Sequence, residues 1–227
     1  IDLALVAPGR VRALVLIAPA ISGSPAPELD DITAELDRRG DAAIEQGDLA
    51  ELNRIEAELW LDGPGRAGRV GTEARELFLA MNGAALAADD PGTRAQDAVA
   101  WPRLGEIRVP TLVLVGALDL PHVRAAARHA ATTIPGAALV ELEDAAHPPH
   151  LERHAVALSE IAAFVHRLAE ACPRGSPAAF ISSPRMKCCQ SSAPLPPYSR
   201  GQCGTSSPRL ANSAQNVREN SIAASDP

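Results

Sequence analysis

The first 171 residues of this 227-residue chain contain no cysteine and no lysine, and aromatic residues make up 3% of the whole. Without cysteine, this part can form neither a disulfide framework nor a thiolate zinc site. It therefore needs no oxidising compartment, and we expect a cytoplasmic protein. The longest apolar run, residues 13–21, is far shorter than the ~20 residues of a membrane-spanning helix, so we expect no membrane partner.

The net charge and the spacing of the histidines argue against nucleic-acid binding and against a metal site. The net charge of −7 argues against nucleic acid as a partner. The six histidines show no H-E-x-x-H or comparable ligand spacing. We therefore expect no metal site.

The composition changes abruptly near residue 171. Residues 1–171 hold 15 arginines, 26 acidic residues and three serines. Residues 172–227 hold eleven serines, the only lysine and all four cysteines, at positions 172, 188, 189 and 203. Such a segment buries too little apolar surface to offset the entropy of ordering, which predicts a disordered, low-complexity tail. An out-of-frame or read-through extension is the alternative origin.

Three short apolar runs predict buried parallel strands. They are "VRALVLIAP" (11–19), "VPTLVLVGALD" (109–119) and "AALVELE" (137–143), each bounded by proline or glycine. The alanine-rich segment 121–134 begins with proline, as helices often do. The run from 151 to 171 predicts the last helix. Its apolar face is expected to consist of Leu151, Ala155, Leu158, Ala162, Val165 and Leu168.

Residues 24–101 read as helical and lack strand signals. Asp48 is a candidate N-cap for a helix that ends at "DGPG", and Leu77 and Met81 are expected to face inward in a later helix. An insertion of this length between two strands exceeds an ordinary connection and is often a functional lid. We predict an α/β core of residues 1–23 and 102–171, with 24–101 as a helical cap.

In order and spacing, these pieces resemble the C-terminal part of the α/β-hydrolase family, in particular its lid-bearing esterases and lactonases. "RVRALVLIAPA" resembles the strand after the nucleophile helix, and residues 24–101 resemble the inserted cap. "IRVPTLVLVGALD" resembles the strand that presents the triad acid. "IPGAALVELEDAAHPPHLE" resembles the last strand and the histidine loop. The fold implied is a partial hydrolase sheet, its last three parallel strands with helices, plus an all-helical cap.

Carried over by residue, Asp119 matches the triad carboxylate and His147 the triad base. Both follow predicted strands, whose carboxyl ends meet at one edge of a parallel sheet. From the residues alone, Asp119 could instead cap the helix that follows it, and His147 could be an ordinary loop residue. The resemblance favours the catalytic assignment and implies no cofactor.

The nucleophile elbow of the family, G-x-S-x-G, does not occur in this sequence. By the resemblance, "IDLALVAPGR" is the end of the nucleophile helix, so we expect the elbow just upstream of Ile1. The chain would then keep the acid and the base but lack the nucleophile and the oxyanion hole. We expect little or no turnover from it alone, and an open edge on the first strand that permits self-association.

The resemblance implies a hydrolase that cleaves a small carboxylic ester or lactone, although the same scaffold serves dehalogenases, epoxide hydrolases and C–C hydrolases. The alternatives are a non-catalytic protein that binds a ligand or partner, or an incomplete gene product. Large apolar side chains in the helical block are candidates to line a substrate pocket, or else to pack the core of that block. They are Trp60, Leu61, Phe78 and Met81.

Overall fold

A computed structural model describes residues 1–89 and 99–171 of the chain. Its order is α1 (Asp2–Val6), β1 (Leu14–Ile17), α2 (Asp31–Gln46), α3 (Leu49–Glu56), α4 (Thr72–Leu86), β2 (Thr111–Gly116), α5 (Pro121–Thr133), β3 (Ala138–Leu142), α6 (Pro149–Glu152) and α7 (His154–Ala171). A π-helical stretch, Ala57–Asp62, extends α3, and two 3-10 turns span Pro8–Arg10 and Trp101–Glu106. The predicted tail, 172–227, lies outside the described residues.

The three predicted strands form one parallel sheet in the order β1, β2, β3. Leu14 pairs with Thr111 at the start of the first ladder, and Leu112 pairs with Ala138 at the start of the second. All residues of the central strand β2 are buried, as a continuous apolar run predicts for a strand covered on both faces. The fold is therefore α/β, as the sequence predicts.

Alternate residues of β2 face two different cores, because successive side chains of a strand point to opposite sides. Val113 and Val115 join a cluster with residues of α1 and α5. Leu112 and Leu114 join a second cluster with Phe164 of α7. The central strand is thus covered on both faces, by α1 and α5 on one side and by α7 on the other.

The described part of the connection between β1 and β2 contains α2, α3 and α4 and no strand, as the sequence predicts, whereas residues 90–98 lie outside the described residues. Asp30 and Asp48 cap α2 and α3, accepting hydrogen bonds from the backbone N–H groups of Thr33 at 2.8 Å and Glu51 at 2.9 Å. The helices share a small core of their own, made of Leu36, Ala43, Leu52, Ile55 and Leu86. The division into core and cap domains stays a prediction.

Two predicted apolar faces are wrong. In α4, Leu77 and Met81 are 47% and 63% exposed rather than inward. In α7, Leu158 and Val165 are 64% and 51% exposed. In α7, Ala157 and Phe164 are buried against the sheet, and Ile161 and Leu168 are partly buried beside them, so Leu168 is the member of the predicted face that packs in this core. This second set has the same helical spacing, so periodicity alone could not choose between the two faces.

Candidate functional site

Asp119 lies in the turn between β2 and α5, where its carboxylate is buried. Its side chain is 1% exposed, and Oδ1 accepts a hydrogen bond from the Leu120 backbone N–H at 2.7 Å. The N-cap of α5 is Leu120, and among the described residues no side chain caps that helix. Asp119 is therefore not the helix cap that its position also allowed.

His147 lies in the loop between β3 and α6, and this loop folds back over the end of β2. The backbone N–H of Leu118 donates to the carbonyl of Ala145 at 2.9 Å. Gly116 makes this approach possible, because a Cβ there would overlap the carbonyl oxygens of Ala145 and Ala146. Because Gly116, which ends the predicted strand, has no side chain, the histidine loop can pack against the end of β2.

The structure brings the two predicted residues into contact. Nδ1 of His147 lies 3.1 Å from Oδ2 and 3.3 Å from Oδ1 of Asp119. The carboxylate accepts only, so Nδ1 carries the proton of this hydrogen bond, and in the neutral ring Nε2 keeps its lone pair. The His147 side chain is 36% exposed. This geometry suits a general base oriented by a carboxylate.

Two further histidines lie near this pair, and burial lowers the pKa of both. For His122 the burial effect is partly offset by Asp119 and reinforced by His147. For His150 it is reinforced by His147. Burial thus disfavours the charged form of both side chains. Among the described residues, the carboxylate of Asp119 is hydrogen-bonded by His147 and by the Leu120 backbone N–H.

His147 lines a cavity of about 1260 Å³ that also borders the end of β1 and the helical connection. Of the four predicted pocket residues, Trp60 and Phe78 line it. The Trp60 ring lies 4.6 Å from the His147 ring, centroid to centroid, at an angle of 51°. The indole ring of Trp60 therefore packs against the imidazole ring of the candidate base.

The other two predicted pocket residues are not at the cavity. Leu61 is fully buried and outside the cavity lining, and Met81 is 63% exposed. Phe78 and Asn82, four residues apart, share the α4 face that lines the cavity. Met81 lies beside that face with Leu77, which explains why a large apolar side chain in this helix misses the cavity.

Among the described residues, no hydroxyl or thiol forms a hydrogen bond with Nε2 of His147. Ser22 and Ser24 line the same cavity. The Ser22 hydroxyl is engaged elsewhere: it donates to Oδ1 of Asp2 at 3.3 Å and accepts from the Ala100 N–H at 2.9 Å. Among the described residues, the candidate base His147 and the candidate acid Asp119 thus have no hydroxyl or thiol bonded to Nε2 of the histidine.

A partly buried polar network beside the cavity could not be anticipated from the sequence. Asn53 Nδ2 donates to the Leu79 carbonyl at 2.9 Å, which fixes Asn53 Oδ1 as an acceptor. Asn82 Nδ2 donates to that oxygen at 3.0 Å and to Oε2 of Glu56 at 2.5 Å. Both amide protons of Asn82 are used, so its Oδ1 is left as a hydrogen-bond acceptor at the cavity.

Glu56 is 7% exposed, and burial raises its pKa, an effect that the Asn82 hydrogen bond partly offsets. The sequence could have indicated the burial of Glu56, because an acidic residue four positions after Leu52 lies on the apolar face of the same helix. Arg69 and Glu152, which hold the histidine loop to the helical connection, were also missed. No local pattern marks a contact between residues so far apart in sequence.

The described residues contain no cluster of histidine, cysteine or acidic side chains that could hold a metal ion. Within the same ranges, no helix is long and apolar enough to cross a membrane.

No family model and no curated protein matches this chain. Solved structures do. A hydrolase from Pseudomonas aeruginosa PA01 is 27% identical, with a TM-score of 0.51, over 72% of this chain and 58% of the other. Rv0554 from Mycobacterium tuberculosis is 21% identical, with a TM-score of 0.51, over 73% and 60%. A thermophilic esterase from Thermogutta terrifontis is 22% identical, with a TM-score of 0.50, over 70% and 57%.

This chain thus spans about three fifths of the length of these structures. They share its parallel sheet with helices, and structures similar to it are named as hydrolases and esterases. The chain is therefore related to the α/β-hydrolases, and its described residues form a partial α/β-hydrolase fold built on three parallel strands.

Proposed function

We propose that this chain carries the acid–base pair of an α/β-hydrolase that cleaves a small carboxylic ester or lactone. The observation that carries the proposal is the hydrogen bond between Nδ1 of His147 and the buried carboxylate of Asp119, at the edge of a large cavity. In this role His147 takes the proton of the nucleophile and then gives it to the leaving group. Asp119 holds the tautomer and stabilises the imidazolium that forms between the two steps.

The cavity suggests what kind of substrate it accepts. Trp60 and Phe78 supply an apolar wall, which favours a substrate with an apolar part. Asn82 Oδ1 supplies an acceptor, which favours a substrate group that donates a hydrogen bond. We propose that the helical connection acts as a cap that shapes this pocket.

We further propose that the nucleophile and the oxyanion-hole donors come from outside the described residues. Without them, the base has no hydroxyl or thiol to deprotonate, and the main electrostatic stabilisation of the transition state is missing. The chain alone is then expected to show little or no turnover.

A non-catalytic binding protein is the second candidate, favoured by one observation: His147 Nε2 has no hydrogen-bond partner among the described residues. In that case the cavity binds a small ligand without converting it. The two candidates differ in the outcome of a single assay.

The test compares this chain with a form extended by the codons upstream of Ile1, using p-nitrophenyl acetate and a γ-lactone as substrates. We expect the extended form to hydrolyse at least one of them. His147→Ala should then lower kcat by about three orders of magnitude or more. His150→Ala, a matched change at a histidine three positions after His147, should stay within about threefold of the unchanged enzyme because His150 forms no hydrogen bond with Asp119.

Equal turnover with alanine at position 147 would refute the role of His147. An in-frame stop codon directly upstream of Ile1 would refute the proposal of an external nucleophile encoded in the same reading frame, and binding without turnover would then favour the second candidate.

A further inference from the structure

The guanidinium group of Arg69 lies between the helical connection and the loop that carries His147. Its Nε donates to the carbonyl of Asp62 at 2.7 Å, and Nη2 donates to that of Leu61 at 2.8 Å. Its Nη1 donates to the carbonyl of Asp144 at 2.9 Å, across 75 positions of sequence. One side chain thus joins the end of the π-helical stretch to the histidine loop.

Glu152 completes the same junction from the other side. Its Oε2 lies 2.5 Å from Nη2 of Arg69, and its side chain is only 4% exposed. Its Oε1 accepts a hydrogen bond from the backbone N–H of Ala146 at 2.7 Å. Burial raises the pKa of this carboxyl, while the Ala146 hydrogen bond and Arg69 oppose the rise. The buried charge is thus both paired and hydrogen-bonded, as a buried ion pair needs to be.

His147 is held directly by the helical connection as well. Its backbone N–H donates to the carbonyl of Trp60 at 3.1 Å, and its ring packs against the Trp60 ring. The loop is therefore tied at residues 144, 146 and 147. These three ties run to the helical connection or to Glu152, which is itself bound to Arg69, and Ala145 between them is bound to the backbone N–H of Leu118 at the end of β2.

The turn that presents Arg69 is also fixed. The buried carboxylate of Asp62 accepts hydrogen bonds from the backbone N–H groups of Gly68 at 2.8 Å and Val70 at 3.1 Å. It also pairs with Arg75 at 2.5 Å. The backbone that carries Arg69 therefore has little conformational freedom.

We propose that Arg69 and Glu152 are positioning residues that orient the His147 ring, keeping Nδ1 on Asp119 and Nε2 toward the cavity. The proposal deepens the function proposed above and rests on it, since orientation of the ring matters only if His147 transfers a proton. Neither residue touches the cavity, so neither is a catalytic residue. The helical connection then sets the geometry of the base as well as the shape of the pocket.

The backbone of the histidine loop is strained at Asp144, and the contacts with Arg69 and Glu152 can hold this conformation. Asp144 has a φ of 58°, in the left-handed region that residues other than glycine seldom adopt. A strained residue keeps its conformation only when its surroundings determine it. The hydrogen bond from Arg69 reaches the carbonyl of this residue, three positions before His147.

The test records the ring ¹⁵N signals of His147 in the full 227-residue chain at about pH 8, where a free imidazole is neutral. We expect the unchanged chain to show one tautomer, with the proton on Nδ1. Arg69→Met should shift the signals toward the average of two tautomers. A purely structural role would lower stability and leave the tautomer unchanged.

Conservative variants keep the test informative if Arg69→Met fails to fold. Arg69→Lys keeps the charge beside Glu152 but cannot reach three carbonyl groups, so partial averaging is expected. Glu152→Gln keeps an acceptor for Ala146 and removes the ion pair. Arg153→Met is the matched control, because Arg153 contacts only the exposed side chain of Asp144 in the same loop.

In the extended, active form, Arg69→Lys should lower kcat by about 10- to 100-fold with KM within about twofold. Arg153→Met should leave both constants within about twofold. A single Nδ1–H tautomer in both Arg69 variants and in Glu152→Gln would overturn the proposal. The ring spectrum needs no turnover, so failure of the positioning role is distinguishable from failure of the proposed hydrolase activity.

Discussion

Gly116 occupies the point where the candidate site is assembled. It ends β2, and the carbonyl groups of Ala145 and Ala146 occupy the space that a side chain at this position would fill. Because those atoms belong to the backbone, they cannot move away as the end of a flexible side chain could. The contact between the acid and the base therefore depends on the absence of one methyl group.

Gly116→Ala is expected to lower the free energy of unfolding by about 2–3 kcal/mol, since the added methyl group forces the histidine loop away from β2. The same displacement should separate His147 from Asp119. Chemical denaturation measures the first effect, and the ring ¹⁵N signals of His147 measure the second.

The control for this prediction is Gly105→Ala, where the nearest atoms to an added Cβ belong to Thr133 at 3.9 Å. That change should alter the free energy of unfolding by less than about 1 kcal/mol. Equal losses in the two variants would show that the close approach at Gly116 has no special cost.

The contact between His147 and Asp119 could be anticipated because each follows an apolar run bounded by proline or glycine. Such runs become adjacent parallel strands, whose ends share one edge. Arg69 could not be found in the same way. Its partners at residues 144 and 152 lie far along the chain, and only the folded backbone brings their carbonyl and carboxylate oxygens together.

Among the helices, α7 shows how packing chooses between equivalent patterns. Its sequence carries two apolar stripes at helical spacing, and the sheet covers the one that contains Phe164. Phe164 reaches the residues of β2 that point to this side, whereas Leu158 faces away and is 64% exposed. Periodicity predicts that a helix is present, and contact with the sheet determines its orientation about its own axis.

Phe164→Ala should lower the free energy of unfolding by about 3–5 kcal/mol, because it removes a large buried ring from the core between α7 and the sheet. Leu158→Ala in the same helix should change that energy by no more than about 0.5 kcal/mol. Thermal or urea denaturation of both variants provides the comparison. A larger loss of unfolding free energy in Leu158→Ala than in Phe164→Ala would show that the face containing Leu158 is the buried one.

The helical connection presents the same ambiguity in α4. The sequence suggested that Leu77 and Met81 face inward, yet Phe78 and Asn82 line the cavity. A rotation of one residue about the helix axis separates the two faces. Of the two residues of α4 that the sequence suggested for the pocket, Phe78 lines the cavity and Met81 does not.

At the scale of the whole molecule, β1 is an edge strand of the sheet that the described residues form. The backbone N–H groups of Leu14 and Ala18 donate to the carbonyl groups of Pro110, just before β2, and Leu114 within it, so the N–H groups of Val15 and Ile17 point to the other side. Within residues 1–89 and 99–171, no further strand pairs with β1. The Val15 side chain is 37% exposed at this edge. We propose that this edge permits self-association.

The expected result is an average mass that rises with concentration in light scattering coupled to gel filtration. Val15→Lys should reduce that rise, because a lysine on an edge strand opposes pairing with another strand. Leu158→Lys removes an exposed apolar side chain from α7 and is the matched control, with no change expected. A mass that is independent of concentration in the unchanged chain would contradict the proposal.

The strand order also determines how the sheet assembles in time. β2 and β3 are joined by α5 alone, whereas Leu14 of β1 must find Thr111 across about a hundred residues of chain. Pairs that close long loops form later than local ones. During refolding we expect β2, α5 and β3 to associate first and β1 last. The residues after β1 border the cavity, so we expect the cavity to form only in that last step of refolding.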